Sequence, residues 1–188
     1  MLADIEAACK VLSGIDTIKA NRDRALILIG FLGAFRRSEL AGLRWDQVEF
    51  ADQGFTIKMG KTKTDQAGEE NKRKVFRHRL PAYACPVAAL KALQGMSKEY
   101  IFPVLDRFGK VSKKHQCLTG VAVAKIVKAH LGSEYKGHSL RAGFCTQADQ
   151  NGATLPAIMK QTHHKTLSIV AGYAGRTDAW QGNAATEM

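Results

Sequence analysis

Side chains that can bind or attack a phosphate ester recur along the chain, without clustered carboxylates beside them. The set comprises two arginines, a lysine, two histidines and a tyrosine: Arg36, Lys63, His138, Arg141, His164 and Tyr173. A phenol with a pKa of ~10 is a poor nucleophile at neutral pH unless a base and a cationic pocket assist it. This combination suits the stabilisation of extra negative charge on a phosphodiester during attack by a protein hydroxyl.

Arg36 and Arg37 stand where an apolar segment ends, and Glu39 follows closely. One interpretation is an arginine pair that stabilises a helix C-terminus or extends its head groups into water. The other is a guanidinium fixed at a packed helix junction by Glu39, ready to bind a phosphate through two parallel hydrogen bonds. These residues alone leave both interpretations open.

His138 and Arg141 are spaced to project from one face of the first turn of a helix. The N-terminus of such a helix adds partial positive charge, so the three together favour an anion. The alternative is a capping histidine beside a surface arginine. Two adjacent histidines, His163 and His164, follow later, but no Asp, Glu or Cys at a suitable spacing completes a metal site. We therefore predict no metal there.

Two lysines, Lys61 and Lys63, lie just after a predicted strand. A lysine in a hairpin loop is ordinarily a solvated charge, although at a hairpin tip it can reach into a groove and deliver a proton. The fragment Gly60-Lys61-Thr62 lacks the spaced glycines of a P-loop, so nucleotide binding of that kind is not predicted.

The charge of the chain points to a polyanionic partner. Lys+Arg number 28 against 17 Asp+Glu, which gives a net charge of +11 and an isoelectric point of about 9.7. Nucleic acid or an anionic membrane surface would suit this excess. The longest apolar run is far shorter than the ~20 residues that a membrane span needs, and no signal peptide is predicted. The cysteines form no C-x-x-C pair, which argues against a zinc site or a disulfide framework.

Hydrophobic periodicity predicts a mostly helical α+β domain with one small antiparallel sheet and no internal linker. Helices are predicted at residues 2–12, 22–33, 39–43, 86–93, 118–131, 139–149, 155–160 and 167–173. Asn21 and Ser38 are predicted to precede the second and third of these, with Asp23 in the first turn of the second. Strands are predicted at residues 45–50, 55–59 and 74–80.

Four blocks of sequence resemble those of the tyrosine recombinases, also called phage-type integrases. They are RRSELAGLRW at 36–45, TKTDQ at 62–66, GHSLRAG at 137–143, and HHKTL at 163–167 running on to Tyr173. The blocks span nearly the whole chain and occur in the family's order. The resemblance implies the catalytic-domain fold of these DNA breaking-rejoining enzymes. His163 and Ala34-Phe35 depart from the pattern, because the family usually has glycine and Gly-Leu there; the latter apolar change is expected to be harmless.

The resemblance also implies a role for each residue of the set. Tyr173 would attack a DNA phosphate and form a 3′-phosphotyrosine, while Arg36 and Arg141 neutralise the charge of the pentacoordinate transition state. His164 would donate a further hydrogen bond, His138 would help take the tyrosine proton, and Lys63 would protonate the departing 5′-oxygen. The nine-residue gap to Tyr173 favours His164 over His163, and the Lys-Thr-Asp-Gln context favours Lys63 over Lys61. The covalent intermediate conserves the energy of the phosphodiester, so no metal, cofactor or ATP is expected.

The resemblance further implies a domain organisation and a partner. Residues 1–174 would be a single catalytic domain, and too few residues precede Arg36 for the amino-terminal core-binding domain that generally clamps the other face of the DNA. Residues 175–188 would be a tail that docks on a neighbouring subunit through Trp180. Double-stranded DNA is the expected partner, bound by a homotetramer, with a monomer in its absence. A bacterial cytoplasm, with a phage or mobile element as the source, is the expected setting.

Three alternatives belong to other functional classes. A type IB topoisomerase would use nearly the same residues to relax supercoils, a non-catalytic DNA-binding module could share the fold, and a basic helical adaptor would perform no DNA chemistry. The complete set of six catalytic side chains argues against the second, and the spacing of the four blocks argues against the third. Integration is the default role, and the target DNA site cannot be read from the sequence.

Overall fold

The computed structural model describes residues 1–59, 73–114 and 117–163, which hold seven α-helices and one three-stranded sheet. The helices are α1 (Leu2–Ser13), α2 (Ile18–Leu32), α3 (Arg37–Ala41), α4 (Pro86–Lys91), α5 (Gly120–Leu131), α6 (Ser139–Gln150) and α7 (Leu155–Thr162). The strands are β1 (Val48–Ala51), β2 (Gly54–Lys58) and β3 (Arg73–Arg77). The predicted mostly helical α+β class is confirmed. No helix in these ranges is long and apolar enough to cross a membrane.

Threonine hydroxyls cap the N-termini of three helices. The side chains of Thr17, Thr119 and Thr154 accept hydrogen bonds from backbone N–H groups in the first turns of α2, α5 and α7. The start predicted after Asn21 is therefore wrong, because Thr17 caps α2 four residues earlier. The predicted helix at residues 167–173 lies outside the described residues.

Helix α3 also begins earlier than predicted. Its N-cap is Arg36 rather than Ser38, because the Glu39 carboxylate accepts a hydrogen bond from the Arg36 backbone N–H at 2.9 Å. A glutamate at the third helical position that bonds back to the N-cap satisfies a donor that the helix itself cannot. This local bond places Arg36 at the junction between α2 and α3.

The sheet has the order β1-β2-β3, and both of its strand pairs are antiparallel. Its first strand is shorter than predicted, because Trp45–Gln47 form a turn of 3-10 helix before β1 begins at Val48. The last strand ends at Arg77 rather than Leu80. Alternate residues of β3 are buried, so Lys74 and Phe76 share the face that packs on the core.

The core is built around α2, which is buried along most of its length and packs against α1, α4 and α6. Gly30 allows a close approach of neighbouring side chains, since a Cβ there would lie 2.7 Å from a methyl group of Leu40 and 2.8 Å from one of Leu140. The sheet joins this core through stacked rings, with Phe76 lying 4.5 Å from Phe55 and 6.5 Å from Phe35 between centroids. The sheet is thereby fixed against the end of α2.

Asp23 ties α2 to α5 from inside the protein instead of lying in a first helical turn as predicted. Its carboxylate is fully buried and accepts hydrogen bonds from Arg22 and Lys19, and it lies 2.9 Å from Nε2 of His130. Burial would raise the pKa of Asp23, but the hydrogen bond with His130 and the charge of Arg22 outweigh it, so the pKa is lowered. The carboxylate therefore stays ionised in a paired environment.

Candidate active site

Arg36 is held at the start of α3 by Glu39. Its guanidinium donates to the Glu39 carboxylate at 2.6 Å, and 44% of its side chain remains exposed. Glu39 thus holds the guanidinium at the helix junction, and binding of a phosphate there stays a prediction. A half-exposed guanidinium in a fixed position retains donors that can face a phosphate.

Arg141 is buried, so the alternative of a surface arginine is wrong. Its residue surface is 4% exposed, and its guanidinium donates to the carbonyl oxygens of Ala34 at 2.6 Å and of Thr162 at 2.7 Å. These carbonyls belong to the α2–α3 junction beside Arg36 and to the last turn of α7. Arg141 therefore joins three elements that are distant in sequence.

The backbone turns beside both of these carbonyls are left-handed. Ala34 has φ 48° and His163 has φ 54°. Both residues stand where the resemblance described above leads us to expect glycine, and glycine adopts positive φ without the steric cost that a Cβ brings. The replacement at Ala34 is consequently not only an apolar change, because it places a Cβ in a strained conformation.

His138 is the exposed N-cap residue of α6, one helical turn before Arg141. Gly137 precedes it and lies against the aliphatic stem of Arg37, so closely that a Cβ at Gly137 would lie 2.8 Å from Arg37 Cδ. The stem of Arg37 also lies beside Gly120 at the start of α5. These contacts bring Arg36, His138 and Arg141 to one region, whereas Lys61, Lys63, His164 and Tyr173 lie outside the described residues.

Sequence reasoning missed Lys74, which is fully buried beside this region. Its Nζ donates to the Gln161 carbonyl oxygen at 2.6 Å and lies 5.0 Å from the centre of the Phe35 ring. Burial, reinforced by the positive charge of Arg141, lowers the pKa of Lys74 to about 7. The signal available in the sequence was the alternation of β3, which places this lysine in phase with Phe76 rather than with the exposed residues.

No group of three or more His, Cys, Asp or Glu side chains is arranged to hold a metal ion within the three described ranges. The polar chemistry of the region comes instead from guanidinium, ammonium and imidazole groups. A site rich in cations of this kind suits an anionic group, such as a phosphate, that carries its own negative charge.

Comparison with known proteins identifies the family. Residues 4–179 match the family model described as "Phage integrase family". The chain belongs to this family. An integrase/recombinase xerD homolog from Selenomonas ruminantium is 35% identical over 174 residues, which cover 89% of this chain and 51% of that protein. A tyrosine recombinase XerC from Pseudomonas fluorescens is 26% identical over 178 residues, covering 90% of this chain and 54% of that protein.

Solved structures of integrase-family proteins share the fold. The XerA recombinase superposes with a TM-score of 0.65 at 16% identity, covering 93% of this chain and 57% of that one. The XerH site-specific recombinase, bound to its difH substrate in a pre-cleavage complex, superposes with a TM-score of 0.64 at 21% identity, covering 91% and 48%. This integrase-family chain therefore spans about half the length of the relatives that it matches.

The left-handed conformation of His163 predicts a reversed preference between glycine and alanine in this integrase-family chain. At this position, His163→Gly should unfold with a free energy about 1 kcal/mol higher than His163→Ala, because only glycine adopts φ 54° without strain. Urea denaturation followed by circular dichroism measures the difference.

The matched control for this comparison is Lys160, an exposed residue inside α7. There the alanine variant should be the more stable by about 1 kcal/mol, because glycine is unfavourable within a helix. Equal stability of the two variants at position 163 would contradict a left-handed C-cap.

Proposed function

We propose that this chain is the catalytic domain of a site-specific DNA recombinase of the integrase type, which cuts and rejoins double-stranded DNA through Tyr173. The observation that carries the proposal is the buried Arg141 guanidinium. It binds the carbonyl beside the Arg36 turn and the carbonyl of the last residue of α7, immediately before the His163-His164 pair. A single side chain thus holds together the segments that carry or lead to five members of the proposed catalytic set, all except Lys63.

The proposed reaction is a transesterification, in which a phosphate ester of DNA is exchanged for a phosphate ester of tyrosine. The Tyr173 oxygen attacks phosphorus, and its proton passes to His138, so that a 3′-phosphotyrosine bond forms. The bond between phosphorus and the 5′-oxygen breaks, and Lys63 protonates the departing oxygen. Arg36, Arg141 and His164 stabilise the additional negative charge of the transition state, a contribution that is typically the largest single one at such sites.

Rejoining reverses these steps with a second 5′-hydroxyl as the attacking group. One phosphate ester replaces another at each step, so the number of ester bonds is unchanged and neither hydrolysis nor ATP is needed. In this proposal residues 1–174 form the catalytic domain, residues 175–188 dock on a neighbouring subunit, and a homotetramer assembles on DNA in a bacterial cytoplasm.

A basic turn at residues 106–110 supports the DNA-binding part of the proposal. Asp106 is its acidic residue, and that carboxylate accepts hydrogen bonds from the Phe108 and Lys110 backbone N–H groups within the turn. Arg107 and Lys110 are exposed at the tip, with the Arg107 guanidinium 4.7 Å from the Phe108 ring centre. Because the Asp106 carboxylate is engaged by backbone N–H groups of the turn while both cations are exposed, the tip suits a phosphate backbone.

DNA affinity should therefore fall steeply with salt. Each neutralised phosphate contributes about −0.9 to the slope of log K against log salt concentration, so Arg107→Gln/Lys110→Gln should reduce the magnitude of the slope by up to about 2. Fluorescence anisotropy between low and moderate salt measures it. Lys10→Gln/Lys91→Gln removes the same charge from exposed positions on α1 and α4 and should change the slope less. An affinity indifferent to salt would contradict the phosphate contacts.

The deciding experiment mixes the chain with nicked suicide DNA substrates, from which the cleaved strand end diffuses away. A covalent adduct that survives denaturant, and that protease digestion maps to a DNA 3′-phosphate, would support the proposal. An adduct on a 5′-phosphate would overturn the assigned polarity. Transfer of the bound strand to a second duplex distinguishes recombination from simple relaxation of supercoils.

A further inference from the structure

Lys74 is a basic side chain with no exposed surface. It stands on the core-facing side of β3, and its Nζ donates to the carbonyl oxygen of Gln161 in the last turn of α7. The contact joins residues 87 positions apart. Because Lys74 is fully buried, it does not touch DNA, so any effect on the reaction must pass through the groups that it contacts.

The last carbonyl groups of a helix lack partners within the helix and carry its partial negative charge. In α7, Lys74 binds the Gln161 carbonyl and Arg141 binds the Thr162 carbonyl. The Gln161 side chain in turn donates to the Leu32 carbonyl oxygen at 2.9 Å. Three contacts, from β3, α6 and α2, thus fix the end of α7 just before the left-handed turn at His163.

Core stability alone does not account for this lysine. A buried ammonium loses its hydration, and a well-packed apolar side chain of similar size is often as stabilising or more so. The low pKa of the Lys74 ammonium reflects that cost. The Phe35 ring face offsets part of it, but any apolar residue would pack there without the charge.

We propose that Lys74 is a positioning residue that clamps the C-terminal end of α7, and so fixes the point from which the chain continues to His164 and Tyr173. The same lysine follows directly on the chain that carries Lys63, since β3 begins at Arg73. Lys74 therefore lies close in sequence to Lys63 and contacts the helix end that precedes Tyr173. This inference rests on the proposed function, because it assigns Lys74 an effect on DNA cleavage.

The test compares Lys74→Met and Lys74→Arg with the unaltered chain on a suicide DNA substrate. Methionine keeps the length and apolar character of the side chain but loses the charge and the donor. At saturating DNA, the rate constant of adduct formation should fall by up to about 10²-fold in Lys74→Met, as expected for misplaced reacting groups. The DNA concentration that gives half the maximal rate should change by less than about threefold, because Lys74 does not contact DNA.

Two further measurements separate positioning from a structural role. Lys74→Arg, which retains a cation and donors, should recover most of the rate. Lys74→Met leaves the Gln161 carbonyl without its donor, at a cost of up to about 1–3 kcal/mol, and urea denaturation should show that it is still fully folded in the assay buffer. Lys58→Met is the matched control, since Lys58 lies on the neighbouring strand and is paired with Glu49 at the surface. This variant should cleave normally.

Different results would overturn the proposed function and the clamping role of Lys74. An unaltered chain that forms no adduct would overturn the proposed function. An unaltered chain that forms the adduct, beside a Lys74→Met variant that forms it equally fast, would overturn only the clamp. A loss of cleavage that merely follows a loss of folded protein, or a Lys74→Arg variant as slow as Lys74→Met, would also overturn it.

Discussion

Replacing Tyr173 with phenylalanine should abolish the covalent protein–DNA adduct. The change removes one phenolic oxygen and leaves the ring, so binding of DNA should persist while the bond to phosphorus cannot form. Loss of a catalytic nucleophile lowers rates by about 10⁴-fold or more, which places the variant below detection in a gel assay. The measurement is the fraction of suicide substrate that remains bound to protein in denaturant.

Tyr135→Phe provides a matched control for Tyr173→Phe. The Tyr135 hydroxyl donates to the Asp4 carboxylate at 2.7 Å, and this exposed hydrogen bond contributes to folding rather than to the site. Its loss should cost at most about 1 kcal/mol of stability and leave the adduct intact. An adduct that persisted in Tyr173→Phe would overturn the assignment of the nucleophile, and an adduct lost in both variants would point to a folding defect.

Replacing Arg141 with alanine should have the second largest effect. The rate of adduct formation should fall by about 10²–10³-fold, the usual cost of removing one positioned charge donor from a transition state. The carbonyls of Ala34 and Thr162 would also lose their buried donor, which should cost about 1–3 kcal/mol of unfolding free energy. Arg141→Lys should recover little activity, because an ammonium cannot reproduce the planar fork that spans both carbonyls.

Replacing a second buried arginine, Arg22, distinguishes a loss of catalysis from a loss of stability. Arg22 is 6% exposed and donates to the Asp23 carboxylate and the Pro103 carbonyl oxygen, away from α7. Arg22→Ala should destabilise the chain at least as much as Arg141→Ala, because it deprives a buried carboxylate of a partner. Assayed at a temperature where both variants are folded, only Arg141→Ala should cleave slowly. Equal rates in the two variants would contradict a catalytic role for Arg141.

Much of the fold could be predicted because its signals are local. The alternation of β2 and the apolar periods of α1, α5 and α6 depend on neighbouring residues, and these elements occur within a few positions of the prediction. The predicted first residues of two helices are wrong, because several polar residues near each start could cap the helix N-terminus. Thr17 rather than Asn21 precedes α2, and Arg36 rather than Ser38 precedes α3, because the hydrogen bonds formed in the folded chain select among them.

The candidate site was predictable by residue type but not by environment. Arg141 has the sequence context of an exposed helical residue, and the structure buries it because two carbonyls from distant segments supply acceptors. Lys74 has the sequence context of a strand's first residues, yet its Nζ contacts the same helix end. A charged side chain is buried only when partners compensate its lost hydration, and those partners are not its neighbours in sequence.

The order and type of the elements, the excess of positive charge and the resemblance to the integrase family could be predicted without the structure, because they depend on composition, short motifs and local periodicity. The tertiary structure brings Arg141 and Lys74 to successive carbonyls at the end of α7, which no local pattern predicts. It also decided that Ala34 and His163 turn left-handed beside them. These features depend on contacts across 21 to 107 positions, and such contacts form only when the core has brought the segments together.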